Sequence, residues 1–178
     1  MGLRNRFLYN HHACFFVTTT CINYAPFIAM SNQFQLLLDS LAFLSNKYET
    51  ALLGYVIMPN HIHLILYFKK ENYLSAFMRD FKKYTSVKIR QKLEQDGYDL
   101  NKLRAESGGF KIWQDRFDEL YIRDRKHLEE KLDYIHTNPL QGHWCLAKRP
   151  EEYGYSSASY YLNNTTYDAV ISHYLEFC

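Results

Sequence analysis

The sequence predicts an α+β fold of the ferredoxin-like, split βαβ (RRM-like) kind. Its core is an antiparallel sheet with helices packed on it, followed by an additional C-terminal helix and tail. Three observations predict it. The spacing of apolar residues switches repeatedly between the period of a strand and that of a helix. The segments run strand, helix, strand, strand, helix, strand, helix. The second and third strands lie so close in the chain that they must form an antiparallel hairpin.

Phe15 to Thr20, rich in aromatic and β-branched residues, is the first strand. Asn32 to Asn46 is a helix, because Phe34, Leu37, Leu38, Leu41, Phe43 and Leu44 recur near helical spacing; Ser31 or Asn32 can cap it. Leu52 to Met58 and His61 to Phe68 are the hairpin strands, turning at Pro59-Asn60. Leu74 to Gln95 is a long amphipathic helix with Leu74, Phe77, Phe81, Tyr84, Val87 and Leu93 near one face, and Asp96-Gly97 ends it. Asn101 to Gly109, charged and carrying a Gly-Gly pair, is a loop. Phe110 to Trp113 and Leu120 to Arg123 read as short strands. Asp124 to His136 is a charged helix that Asn138-Pro139 should stop. The remainder is rich in Tyr and Ser and has no clear period.

A chain of 178 residues suits one domain with a core of its own, placed at about 10–145, with a tail at 146–178. Hydrophobic residues at 47% exclude a disordered chain, and a net charge of +2 excludes a polybasic protein while leaving room for a local basic face. The cysteines Cys14, Cys21, Cys145 and Cys178 form no Cys-x-x-Cys pair, so neither a zinc knuckle nor a thioredoxin-like motif is expected. That usage fits a reduced, intracellular protein. No stretch approaches the roughly 18 apolar residues of a membrane helix, and the first residues lack an apolar signal core. The expectation is a cytoplasmic protein without a membrane partner.

His61 and His63 flank Ile62 on a strand, so both imidazoles leave the same face, roughly 7 Å apart along the strand, while Ile62 turns to the core. Two such rings can hold one divalent cation if a third ligand arrives from another element. The same pattern also suits two hydrogen-bonded histidines on a half-exposed strand. A histidine-triad hydrolase would need a third histidine where Ile65 stands, and a phosphoesterase with His-x-Thr motifs would need Thr or Ser at position 63. An amidohydrolase barrel needs a longer chain.

The surroundings of the pair are more specific. Met58 to Ile65 (Met-Pro-Asn-His-Ile-His-Leu-Ile) closely resembles the His-hydrophobic-His signature of single-tyrosine (HUH) transposases, above all the branch called REP-associated tyrosine transposases. Trp113-Gln114, Arg116-Phe117 and Ile122-Arg123-Asp124 resemble a second block of that family. Leu132 to Pro139 resembles its Y-I-x-x-N-P helix end, followed by Gly142, and Tyr153 to Ser157 resembles a later aromatic-Ser-Ser stretch. The blocks run in the family's order across roughly residues 10–160.

The resemblance implies that Tyr134 is a nucleophile and that Asn138 completes a metal site with His61 and His63. The spacing agrees, since Asn138 lies four residues on and shares a helix face with Tyr134. His136 points away and reads as a solvated or core histidine. The implied chemistry is in-line attack of the phenol on a DNA phosphodiester, leaving a covalent 5′-phosphotyrosine and a free 3′-hydroxyl. Phenols ordinarily titrate near 10, so a divalent cation, Mg2+ or Mn2+, is expected to polarise the phosphate. Two imidazoles are softer than magnesium prefers, which favours manganese or an adventitious transition metal.

Residues 79–92 are strongly basic. Arg79, Lys82, Lys83 and Lys88, with Tyr84 among them, suit contacts to a DNA backbone, and so do Arg116 and Arg123. Trp113 or a tail tyrosine could stack on an unpaired base. The expected partner is single-stranded or hairpin DNA, because a helix-borne tyrosine must reach the phosphate of one strand. Related enzymes work either as homodimers that exchange the tyrosine helix or as monomers, and both stay open. The reading is a DNA-nicking and strand-transfer enzyme. Its rivals are a domesticated DNA-binding protein that lost transposition and a hydrolase without a covalent intermediate.

Overall fold

β1 (Ala13–Thr20), β2 (Thr50–Ile57), β3 (His61–Phe68) and β4 (Asp118–Tyr121) form one antiparallel sheet in the order β2-β3-β1-β4. This is the split βαβ order, seen here in a computed structural model that describes residues 13–70, 73–103, 110–163 and 170–177. β3 alternates between two covered faces. Ile62, Leu64, Leu66 and Phe68 enter a core with Leu37 and Leu41 of α2 (Phe34–Lys47) and Phe77 and Phe81 of α3 (Tyr73–Gln95). Ile65 and Tyr67, in line with His61 and His63, meet Leu128, Leu132 and Ile135 of α4 (Arg125–Thr137) on the other face.

α4 approaches β2 closely. A Cβ on Gly54 would lie 2.7 Å from Leu132 Cδ2 and 3.0 Å from Ile135 Cδ1. Glycine therefore permits the contact, and the β2–β3 register shifts between Leu52 and Gly54.

Several local expectations need correction. Ser31 and Asn32 do not cap α2. They end a preceding short helix, α1 (Phe27–Ser31), where the Ser31 hydroxyl turns onto the Phe27 and Ile28 carbonyls and Asn32 adopts φ 50. Phe110 to Trp113 is not a continuous strand; Phe110 and Trp113 each make an isolated bridge, that of Trp113 to Cys21. Trp113 is also buried, its indole N–H donating to the Thr85 hydroxyl at 2.9 Å, so it belongs to the core and offers no platform for a base. The last strand covers Asp118–Tyr121 rather than Leu120 to Arg123. The expected loop begins with a helical turn at Leu100–Leu103, and its part at 104–109 lies outside the described residues. Asp124 caps α4 by accepting the His127 N–H, and α4 ends at Thr137 directly before Asn138-Pro139, as expected; those two residues open a separate tight helical turn, Asn138–Leu140.

The tail lies along β2, which explains its lack of period: it docks residue by residue. The Tyr153 hydroxyl donates to the Ile57 carbonyl and the Tyr161 hydroxyl, from α5 (Ala158–Asn163), to that of Leu53. Ser157 Oγ accepts the Tyr55 N–H at 3.0 Å and lies 2.9 Å from His136 Nε2, joining tail, sheet and α4. These contacts cover an edge that would otherwise invite pairing. Cys14 and Cys21 are buried, Cys145 is exposed, and burial pushes the Cys21 thiol up to about 12. Among the described residues no helix is long and apolar enough to cross a membrane.

Candidate active site

Strand alternation sets His61 and His63 side by side on the α4 face, their ring centroids 4.8 Å apart. Each ring is fixed through Nδ1. His61 Nδ1 lies 2.6 Å from Asn60 Oδ1, and the Asn60 amide nitrogen donates to the Tyr24 carbonyl. The Asn60 oxygen can only accept, so this arrangement puts the hydrogen on His61 Nδ1 and leaves a lone pair on Nε2. His63 Nδ1 lies 2.7 Å from the hydroxyl of Thr18, its register partner on β1. Phe16 stacks on His63 at 5.3 Å. Burial pushes His61 down to about 4. It pushes His63 down to about 3, with His61 and Lys131 adding to the effect. Both rings are therefore neutral near pH 7, the form that binds a metal.

α4 delivers the other two residues. The Tyr134 ring stands edge-on to His63 at 5.3 Å and to Phe16 at 5.9 Å. It remains 43% exposed, so an incoming group can reach it. Asn138 is buried and its side chain acts on His61, partly opposing the desolvation of that ring. Its Oδ1 has no hydrogen-bond partner. An orphaned buried carbonyl costs about 1–3 kcal/mol, which is reasonable for an oxygen kept for a cation. Among the described residues no three His, Cys, Asp or Glu side chains gather as a metal cluster. Two imidazole nitrogens and one amide oxygen fit a divalent ion, with manganese suiting the mixed donors better than magnesium. A neutral donor set also leaves the ion's full charge for an anionic ligand.

The structure brings His61, His63, Tyr134 and Asn138 together, and does not bring the basic helix to them. Arg79, Lys82, Lys83, Tyr84 and Lys88 belong to α3, across the sheet from the histidines. Arg79 pairs with Asp80. Lys82 is half-buried and donates to the carbonyls of Gln114 and Asp115 at 2.6 and 3.0 Å, tying α3 to the segment before β4. Lys83, Tyr84 and Lys88 line a groove between α2 and α3. Arg116 and Arg123 are exposed on either side of β4, at the edge where the two faces meet. His136 is a core histidine.

Sequence reasoning missed Thr18, Asn60, Phe16, Lys131 and Trp144, whose ring lies 6.0 Å from His61. Asn60 was legible as a polar residue adjoining His61. Thr18 and Phe16 needed the β1–β3 register, which no local pattern reveals.

A REP-associated tyrosine transposase solved bound to a REP hairpin superposes with a TM-score of 0.63 at 23% identity, covering 89% of this chain and 83% of that one; the likeness shows the fold. A Haemophilus influenzae protein named as a REP-associated tyrosine transposase is 34% identical over 87 residues. That stretch is 48% of this chain and 47% of the relative, so the match spans about half the relative's length. Both relatives carry the name of the branch that the motifs resemble. The model of the IS200-like transposases matches residues 16–138, from β1 through Asn138, and with both histidines and the tyrosine inside that span the chain belongs to this transposase family.

Proposed function

We propose that this chain is a metal-dependent DNA endonuclease and strand transferase that acts on single-stranded or hairpin DNA through a covalent 5′-phosphotyrosine at Tyr134. The observation that carries the reading is the convergence of an accessible phenol with two neutral imidazoles and an orphaned amide oxygen in one chain. His61, His63 and Asn138 would hold Mg2+ or Mn2+, which when bound polarises the scissile phosphate and stabilises its developing charge. Asn60 and Thr18 hold the imidazoles in place. The Tyr134 phenol gives its proton to water and its oxygen bonds to phosphorus. The bond from phosphorus to the 3′-oxygen breaks, and that oxygen takes a proton from water. The ester is conserved, so a second 3′-hydroxyl can reverse the step without ATP.

The hairpin held by the solved relative supports a DNA substrate here. Arg116 and Arg123, exposed on either side of β4, are candidates for the DNA backbone. Arg79, Lys83, Tyr84 and Lys88 would meet DNA that passes round that edge, whereas Lys82 is engaged with carbonyls of its own chain. Because Tyr134 lies against His63 of the same chain, the reading favours attack within one subunit.

The test uses a pool of labelled hairpin oligonucleotides with randomised flanks, incubated with Mn2+. The expected result is a protein–DNA adduct that survives denaturation and disappears with EDTA and in Tyr134→Phe. Binding without an adduct would leave a DNA-binding protein. Free cleaved product from Tyr134→Phe would mean a hydrolase without a covalent intermediate.

A further inference from the structure

Lys131 stands one helical turn before Tyr134 on α4. Its ammonium lies 5.2 Å from the centre of the Phe16 ring and 5.9 Å from that of the Tyr134 ring. Phe16 in turn stacks on His63 at 5.3 Å and meets Tyr134 edge-on at 5.9 Å. One cation thus sits beside the Tyr134 ring and the Phe16 ring that stacks on His63. Its field also reaches His63, where it counts against protonation. No carboxylate among the described residues forms an ion pair with it. A lysine head in this position has exchanged part of its hydration for two ring faces, an attraction of about 0.5–2 kcal/mol. A phosphate oxygen would hold it more strongly.

We propose that Lys131 is a further catalytic residue, whose ammonium leaves the Phe16 and Tyr134 rings to donate to a non-bridging oxygen of the scissile phosphate as Tyr134 attacks. The proposal rests on the reading of Tyr134 as the nucleophile. Three features carry it. Lys131 and Tyr134 share a helix face, so their separation is set by the rigid turn between them. The ammonium has three donors and no hydrogen-bond acceptor among the described residues, and a ring face offers only a weak substitute. Two imidazoles and an amide bring no permanent charge, so within the described cluster Lys131 is the permanent cation beside Tyr134. Negative charge grows on the phosphate oxygens as the phenol oxygen closes on phosphorus, and a preplaced cation lowers the barrier without itself gaining or losing a proton.

The contribution is to the reaction step rather than to affinity. DNA affinity arises from many phosphates spread along the chain, whereas Lys131 addresses one. Removing it should slow the step and leave binding nearly unchanged.

The experiment measures single-turnover adduct formation with the labelled hairpin pool and Mn2+, as a function of DNA concentration, for wild type, Lys131→Gln, Lys131→Met, Lys131→Arg and Tyr134→Phe. Lys131→Met keeps an unbranched apolar stem without the charge, and the melting temperature of each variant reports whether it is folded. The expected result is a rate at saturating DNA lowered on the order of 100-fold in both Gln and Met variants. Half-saturation should stay within about threefold, and Lys131→Arg should recover at least about tenfold of the loss. A wild-type rate in folded Lys131→Met, a loss confined to half-saturation, or no recovery by arginine overturns the role of Lys131 and leaves Tyr134 untouched. An adduct in Tyr134→Phe, or none in wild type, overturns the nucleophile and this inference with it.

Discussion

Asn138 concentrates the tension between stability and chemistry in this site. A buried amide oxygen with no donor is a local defect, and it sits beside two imidazoles that burial keeps neutral. Replacing it by an apolar residue of similar size removes the defect together with the proposed ligand. In EDTA, Asn138→Leu should therefore be about 1 kcal/mol more stable than wild type by urea denaturation. In calorimetry it should lose Mn2+ binding at the pair. A variant that is destabilised in EDTA, or that still binds Mn2+ as wild type does, would remove the oxygen from the metal site. The residue types were legible at this scale: His61 and His63 from strand alternation, Tyr134 and Asn138 from the family's motif. The partners that orient them were not, because Thr18 lies 45 positions from His63 and meets it only across paired strands.

α4 is the element that makes the site, and Gly54 is the place where it rests on the sheet. The nearest atoms are the tips of Leu132 and Ile135, which flexible side chains can shift slightly. Gly54→Ala should be nearly tolerated. Gly54→Val, which adds two more carbons against the same tips, should cost about 1–3 kcal/mol. It should also lower adduct formation by the remaining folded protein, since lifting α4 moves Tyr134 away from His63. Wild-type adduct rates in folded Gly54→Val would mean that helix position is not set there. The helix itself was readable from its charged, amphipathic pattern, and Asp124 caps it as its side-chain chemistry suggests. Its end was readable too, since α4 stops at Thr137 before Asn138-Pro139; the tight turn that follows, which keeps Asn138 in helical geometry one turn beyond Tyr134, was not.

Across the whole molecule, buried histidines tie stability to pH. His61, His63 and His136 are pushed from an ordinary 6.5 to about 4, 3 and 4, chiefly by desolvation. Unfolded, each takes a proton as the pH falls below 6.5; folded, each resists until much lower. The stability of the metal-free protein should thus be full above pH 6.5 and decline below it. Each histidine contributes a slope approaching about 1.4 kcal/mol per pH unit until its folded value is reached. Urea midpoints in EDTA between pH 7.5 and about 4.5 measure this. A flat profile would show that the rings are not buried in the neutral form. His136 separates structure from metal binding, since its partner is Ser157 rather than a residue of the site.

Local sequence determined what each segment is. Alternation set the hairpin and turned both imidazoles the same way, helical spacing set α2 and α3, and ordered motif blocks pointed to the transposase family. Tertiary structure decided which segments meet. It placed α4 over the histidines, sent the basic residues of α3 to the opposite face and bound Lys82 to backbone carbonyls. It also laid the tail along β2. The physical reason is range: periodicity and turn chemistry act between neighbours in the chain, whereas strand register, burial and the position of a charge relative to a site are settled only when distant segments pack together.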